Sequence, residues 1–540
     1  CTITYCNILK QLYPDVPIVI GGIEASMRRL THYDYWSDQL KPSILVDSKA
    51  DILVYGMGEK QIVEIAKLLD PTQPPLKGEE SIKSKICNIP QIAYTTAHTQ
   101  KIEDQEVILL QSHEAALRSK QVHAENFRLI ETESNKIHAA TLIQPVDNQY
   151  LVVNPPYPTM TTEELDAIYD ELVTLRHGMA LKLGHKSYTP LGYDRMQRNC
   201  YGPEDVEKFR IAVQQYLVPV AKKLYIRQAQ MQGREFPLNF ADEALAFRSG
   251  NPKPVGNPEE ILAMGDKFYS ELSPVTDEFW KFMRQHEMLD VESKPGKAGG
   301  GYCTGIPDYE VPFIFANFNG TQGDVEVVTH EAGHAFACWM NRKRIPMDYM
   351  WPSMEACEVH SMSMEFFAWP WAEGFFGEDT KKFLYSHLAG ALTFIPYGTM
   401  VDHFQHEVYA RPEMTPAERH GVWKELLGVY MPWVKLDGEI PFYAEGEGWQ
   451  RQQHIYNSPF YYIDYCLAQT VALRFWAMIQ KDLPDAWAHY MAYTKEGGSK
   501  TFTDLLKHAG LDTPFDEACL RAVCEEANKW LSEFDLGGIV

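Results

Sequence analysis

Apolar residues follow two regimes along this chain of 540 residues. Near the front they come as short unbroken runs. Val16-Pro17-Ile18-Val19-Ile20 leads into Gly21-Gly22, and Asp51-Ile52-Leu53-Val54-Tyr55 leads into Gly56-Met57-Gly58. Runs that short, ending in glycine and feeding helical segments, predict buried strands of a parallel arrangement, a partial Rossmann-like α/β region. The second glycine pair is half of a dinucleotide fingerprint with no third glycine in place, so it reads as a tight turn. From about Thr161 the period becomes helical. Thr161 can cap a helix, with Glu164 three residues on, and Leu165, Ile168, Leu172 and Leu175 form its apolar stripe. Farther along, Thr321 and Asp324 mark a capping-box type of start, and Val325, Val328, Ala332, Ala335, Phe336 and Trp339 recur on one helical face. Val311 to Asn317 reads as a strand just ahead of that helix. Gly250 to Pro258 and Lys294 to Ala298 are loops on composition. The pattern predicts a mainly α chain with an α/β region over 1–165. A helical domain over 166–540 carries a small sheet beside its central helix.

That central helix carries His330-Glu331-Ala332-Gly333-His334. Positions i and i+4 of a helix lie one above the other, so two imidazoles can grip one ion. The intervening acid is then placed as a general base toward a water, the H-E-x-x-H arrangement of zinc hydrolases. A surface helix with two solvated histidines is the bland alternative, and His113-Glu114-Ala115-Ala116 begins the same way before Leu117 breaks it. The apolar stripe decides for the site reading, because His330 and His334 fall off it. A catalytic zinc needs a third protein ligand. Glu358 and Glu365 stand seven apart, two turns along one face of the next acidic helix. Glu358 is expected as the ligand and Glu365 as the carboxylate that orients a ligand from behind. Glu355 and His360 are rival ligands, and His360 faces away from both acids on an ideal helix. Cys357 could offer a thiolate, but its neighbour relation to Glu358 turns it about 100° away.

Composition narrows the partners. The net charge is −23 and 45% of residues are hydrophobic. Such an acidic chain is a poor partner for nucleic acid or an anionic membrane. No run of about 18 apolar residues occurs, so no spanning helix is expected, and no basic-then-apolar segment opens the sequence. Ten cysteines lie scattered, which suits free thiols in a reducing, cytoplasmic setting.

From about Glu171 onward the chain resembles the oligoendopeptidase F family of zinc peptidases, related to thimet oligopeptidase. The resemblance rests on Gly299-Gly300-Gly301-Tyr302-Cys303, on Pro312 through Thr321, on Asp324-Val325 with the His330 to His334 motif, and on the Glu358 and Glu365 pair. Val401 through His406, His454-Ile455-Tyr456 and Phe460 through Tyr465 complete it. It implies one Zn2+ per chain on His330, His334 and Glu358, Glu331 as general base, and hydrolysis of short oligopeptides. It also implies that His454 and Tyr465 donate to the carbonyl oxygen of the transition state, a charge best met by pre-aimed donors. Tyr461 and Tyr462 stand close enough in sequence to share that role, and they read equally well as core aromatics. The edge of the Val311 to Asn317 strand, at Ala316 and Asn317, with Tyr461, is where the resemblance puts the substrate backbone.

The front region, to about Tyr169, resembles instead a radical-SAM family with a cobalamin-binding-like N-terminal part. Gly21 through Ser26, His32 through Trp36, Asp47 through Asp51, Tyr55 through Glu59, Val153 through Pro156 and Thr161 through Asp166 carry that likeness. The C-x-x-x-C-x-x-C run that would hold an iron–sulfur cluster is absent from the sequence, so radical chemistry does not carry over. The expectation is a zinc metalloendopeptidase. Two alternatives stay open: an inactive chimera that binds zinc and peptides only, and a cobalamin-type cofactor-binding protein acting through its front region.

Overall fold

A computed structural model of the chain describes all residues except 1, 15, 35–36, 57–58, 69–85, 87–88, 98–106, 135, 137–138, 156–161, 240–241, 295–296, 437–439, 441 and 538–540. Thr161 as a helix cap, and the Met57 and Gly58 part of the glycine turn, lie outside the described residues. The chain forms two compact units, Cys1–Thr161 and Thr162–Val540.

The first unit is built on a six-stranded sheet. Its strands are β1 (Val19–Ile20), β2 (Ile52–Val54), β3 (Ile92–Thr96), β4 (Val107–Leu109), β5 (Thr141–Val146) and β6 (Gln149–Val153), in the order β1-β2-β3-β6-β5-β4. The two runs read from the sequence pair in parallel, Val19 with Ile52 and Ile20 with Leu53. Beyond them the sheet is mixed. β2–β3, β3–β6 and β6–β5 are antiparallel, and β4–β5 is parallel. Alternation sorts side chains to two faces. Leu53, Ala93 and Leu151 belong to one apolar core, and Ile52, Val54, Ile92 and Val152 to the other. Gly56 takes a φ of 67°, as a turn after β2 requires.

The second unit is helical around one extended core. Its site-bearing elements are α1 (Thr162–Lys182), α2 (Gln322–Asn341), α3 (Met354–Phe367), α4 (Thr380–Ala410), α5 (Tyr462–Ile479) and α6 (Leu483–Thr494). A three-stranded sheet precedes α2: β7 (Leu289–Glu292), β8 (Tyr302–Ile306) and β9 (Val311–Phe318), with β9 in the middle. β9 pairs antiparallel with β8, from Tyr302 opposite Phe315 to Ile306 opposite Val311, and parallel with β7.

Two expectations about helices are corrected. The buried face of α1 is Asp166, Tyr169, Val173, Arg176 and Ala180, while Ile168 and Leu175 of the expected stripe are 37% and 56% exposed. Polar partners override the apolar pattern there. Asp166 sits 3.2 Å from His420, and Arg176 donates to the Tyr409 hydroxyl at 2.9 Å and to the Tyr456 carbonyl. At the start of α2, Thr321 does not cap with its side chain. Its hydroxyl donates to Asn319 Oδ1 instead, at 2.7 Å. Asp324 closes the turn by accepting from the backbone N–H groups of Asn319 and Gly320, at 2.9 and 2.8 Å. The expected stripe of α2, from Val325 to Trp339, is buried throughout. Among the described residues all eight cysteines are free, and no helix is long and apolar enough to cross a membrane.

Candidate active site

α2 and α3 cross at a glycine. A Cβ on Gly333 would lie 2.7 Å from both the His360 carbonyl oxygen and the Ser361 Cα. Only a residue without a side chain lets the two backbones come so close. The approach brings Glu358 under the histidines. His330 Nε2 and His334 Nε2 stand 3.5 and 3.4 Å from Glu358 Oε2, and the donor atoms of all three residues lie within 4.8 Å of one another. Two imidazole nitrogens and one carboxylate oxygen converging on one point form a donor set that fits a catalytic divalent ion such as zinc.

The electrostatics also ask for a cation at that point. Burial pushes the Glu358 carboxyl up, but His334 and His330 outweigh it and hold the group well below the usual carboxylate range. Burial pushes His330 down, and Glu358 and Glu365 reverse that to raise it well above its ordinary value. A proton held among these groups is displaced when a metal takes its place.

Glu365 supports His330 from behind. His330 Nδ1 meets Glu365 Oε1 at 2.7 Å, and His387 Nε2 meets Glu365 Oε2 at 2.8 Å. Trp369 Nε1–H donates to His387 Nδ1 at 2.9 Å. An indole nitrogen can only donate, so His387 carries its proton on Nε2 and gives it to Glu365. Glu365 in turn accepts from His330 Nδ1–H, which leaves Nε2 as the His330 nitrogen that faces Glu358 and would exchange its proton for a metal. Despite burial, the two imidazoles hold the Glu365 carboxyl down at about 2. His387 and Trp369 carry no motif, and only their place beside Glu365 reveals them.

The rival ligands point elsewhere. His360 is buried with both ring nitrogens unbonded, against the rings of Tyr490 and Tyr493 on α6. Burial, with His334 nearby, depresses it to about 3. Its unfolded form protonates near its ordinary value of 6.5. Stability is therefore lost as pH falls from there toward 3, at up to about 1.4 kcal/mol per pH unit. His360→Leu is expected to flatten this acid limb in urea unfolding followed from pH 7 to 4, and an unchanged slope would refute the assignment. Glu355 is held by Ser353 at 2.8 Å. The Cys357 thiol turns to the Pro352 carbonyl, 3.6 Å away.

A cleft of about 610 Å3 opens over the trio, lined by Gly301, Cys303, Glu331, Trp351, Tyr461 and Tyr465 among others. Glu331 faces it, with Oε1 3.8 Å from the Cβ position of Gly301. The three late tyrosines take different places. Tyr461 donates to Glu358 Oε1 at 2.6 Å. Tyr465 lines the cleft with its ring 4.9 Å from that of Tyr461. Tyr462 lines a second cavity with Tyr397 and Trp423, since adjacent helical positions diverge by about 100°, and its ring lies 5.0 Å from that of His454 and 5.5 Å from that of Tyr465. His454 stands with its ring 5.8 Å from Tyr461 and 6.0 Å from Tyr465. Tyr397 donates to Gln452 Oε1 at 3.1 Å, and Gln452 Nε2 donates to His454 Nδ1 at 2.7 Å. The proton of neutral His454 is therefore on Nε2. Burial keeps its pKa below the ordinary value, so it is a neutral donor at pH 7.

The strand expectation shifts by one strand. β9 exists as read, but it is central, Ala316 is fully buried, and the Asn317 amide donates to the carbonyls of Ala298 and Gly300 at 2.8 and 2.9 Å. Ala316 and Asn317 lie past the last β8 pair, Tyr302 with Phe315. The open edge is β8, whose Tyr302, Cys303 and Thr304 line the cleft.

Residues 257–525 match the pattern of peptidase family M3, and residues 1–180 match that of the radical SAM N-terminal family. A solved structure assigned as an oligoendopeptidase F is 40% identical, with 88% of this chain and 75% of that chain covered at a TM-score of 0.67. PZ peptidase A, solved with an inhibitor, is likewise 40% identical, with 88% and 76% covered at a TM-score of 0.67. The UPF0313 protein of Bacteroides thetaiotaomicron is 51% identical over 172 residues, 31% of this chain and 28% of its own length. That of Porphyromonas gingivalis is 47% identical over 31% of this chain and 26% of its own length. The chain thus spans little more than a quarter of the curated relatives its front region matches. Through its C-terminal region, the chain belongs to the M3 family of metallopeptidases.

Proposed function

We propose that this protein is a zinc endopeptidase that hydrolyses short peptides, with one ion on His330, His334 and Glu358. The observation that carries the reading is the convergence of those three donors within 4.8 Å, on the wall of a cleft that Glu331 also faces. When bound, the ion would supply Lewis-acid polarisation of a water and of the scissile carbonyl. Glu331 takes the proton from the attacking water and passes it to the leaving nitrogen, a general base turned general acid. His454, through Nε2–H, and Tyr465, through its hydroxyl, donate to the carbonyl oxygen as it gains charge. Tyr461 holds Glu358 Oε1, leaving Oε2 for the ion. A peptide adds in extended form to the open edge of β8, where main-chain hydrogen bonds bind without regard to sequence. An acidic surface and free thiols suit a cytoplasmic setting.

The test is cleavage of a quenched fluorescent peptide on protein of known zinc content, with and without a chelator. Turnover that needs about one zinc per chain and is restored by adding zinc back is the expected result. Zinc at that stoichiometry without turnover would replace the reading with an inactive, peptide-binding chain.

A further inference from the structure

We infer that Arg198 and Gln405 clamp the Phe460 peptide and so position Tyr461 against Glu358, making a turn outside the donor trio set how firmly the trio holds its ion. The inference rests on the reading of His330, His334 and Glu358 as ligands.

Phe460 comes just before Tyr461 and α5, and its φ is 68°. A bulky residue in the left-handed region is uncommon, and such strain persists only where the surroundings over-determine it. They do so here from three sides. The Phe460 N–H donates to Gln405 Oε1 on α4 at 2.9 Å. Its carbonyl accepts from Arg198 Nη2 at 2.5 Å, and the same nitrogen donates to Asp464 Oδ1, in the first turn of α5, at 2.6 Å. The ring is fully buried, with those of Tyr193, His406 and Tyr409 at 5.5, 4.9 and 5.4 Å. It fills space left by Gly192, where a Cβ would lie 2.6 Å from it.

The Arg198 and Asp464 side chains are wholly removed from solvent. The other Arg198 nitrogens find no hydrogen-bond acceptor, and the guanidinium lies over the rings of Tyr193 and Tyr201 at 4.4 and 5.7 Å. Desolvation offsets most of the attraction in such a pair, so net stability is a weak reason for burying it. Selecting one conformation of the turn is a stronger one. Rotation about Phe460 φ would carry Tyr461 away from Glu358 Oε1, the atom it holds at 2.6 Å. Glu358 would then be free to turn its carboxylate away from the histidines.

Arg198 and Gln405 are thus positioning residues, and the readout is zinc affinity measured by competition with a chromophoric chelator. Tyr461→Phe and Gln405→Met are each expected to weaken zinc binding about ten-fold. The double variant should be no weaker than Tyr461→Phe alone, because both act through one contact. Circular dichroism checks that each variant is folded. If Gln405→Met does not fold, Arg198→Lys, which keeps a charge for Asp464 but lacks the reach to the Phe460 carbonyl, takes its place in the same cycle. Parental zinc affinity in the folded clamp variant, or an effect that multiplies with Tyr461→Phe, overturns the inference. A His330→Ala arm separates the two levels. Parental zinc affinity there would sink the ligand reading itself, whereas loss of zinc there beside an unchanged clamp variant sinks the clamp alone.

Discussion

Glu331→Gln is expected to lower kcat on a fluorogenic peptide by about 10²–10⁴-fold while the metal stays bound. Glutamine has the same shape and keeps its place on α2 beneath Gly301, but its amide cannot accept a proton from water. The neighbouring donors are untouched, since the trio is His330, His334 and Glu358. Loss should therefore fall on kcat, with zinc content near one per chain and KM little changed. The measurement is steady-state hydrolysis on protein with quantified zinc. A kcat within about three-fold of the parent would remove Glu331 from the proton transfer and reassign the base.

Gly333→Ala is the second large effect, and its sign is what makes it informative. In an ordinary helix, replacing glycine by alanine stabilises by about 1 kcal/mol. At Gly333 the added methyl would stand 2.7 Å from backbone atoms of His360 and Ser361, and backbone cannot swing aside as a side chain can. Overpacking of this kind costs about 1–3 kcal/mol, which outweighs the propensity gain. The relief open to the molecule is separation of α2 from α3, and that carries Glu358 away from both histidines. The variant should lose thermal stability and bind zinc at least about ten-fold more weakly. Thermal unfolding with and without added zinc reads both effects. A Tm above the parent's, with parental zinc affinity, would mean that the helices do not meet at this residue.

Local periodicity carried much of the site. The i, i+4 spacing of His330 and His334 and the two-turn spacing of Glu358 and Glu365 put each pair on one face before any tertiary contact is known. The structure brings all four together. Readings that needed a third dimension went astray. The apolar stripe of α1 is not its buried face because Asp166 and Arg176 are drawn inward by His420 and Tyr409, partners more than two hundred residues away. A sequence shows the strand from Val311 to Asn317 but not its neighbours, and β9 has one on each side. Tyr461, Tyr462 and Tyr465 are indistinguishable as residues, and the turn at Phe460 sorts them.

The sequence alone determined which residues can share a helix face, and hence the candidate ligands and the candidate general base. Those depend on spacing within one element, which backbone geometry sets locally. Tertiary structure alone decided that β8 is the open edge, that His387 and Trp369 stand behind Glu365, and that Gly333 is where α2 and α3 touch. Each of these is a meeting of elements far apart in the chain. Such meetings are chosen by close packing and by the pairing of buried polar groups across the whole core, and no short window of residues contains them.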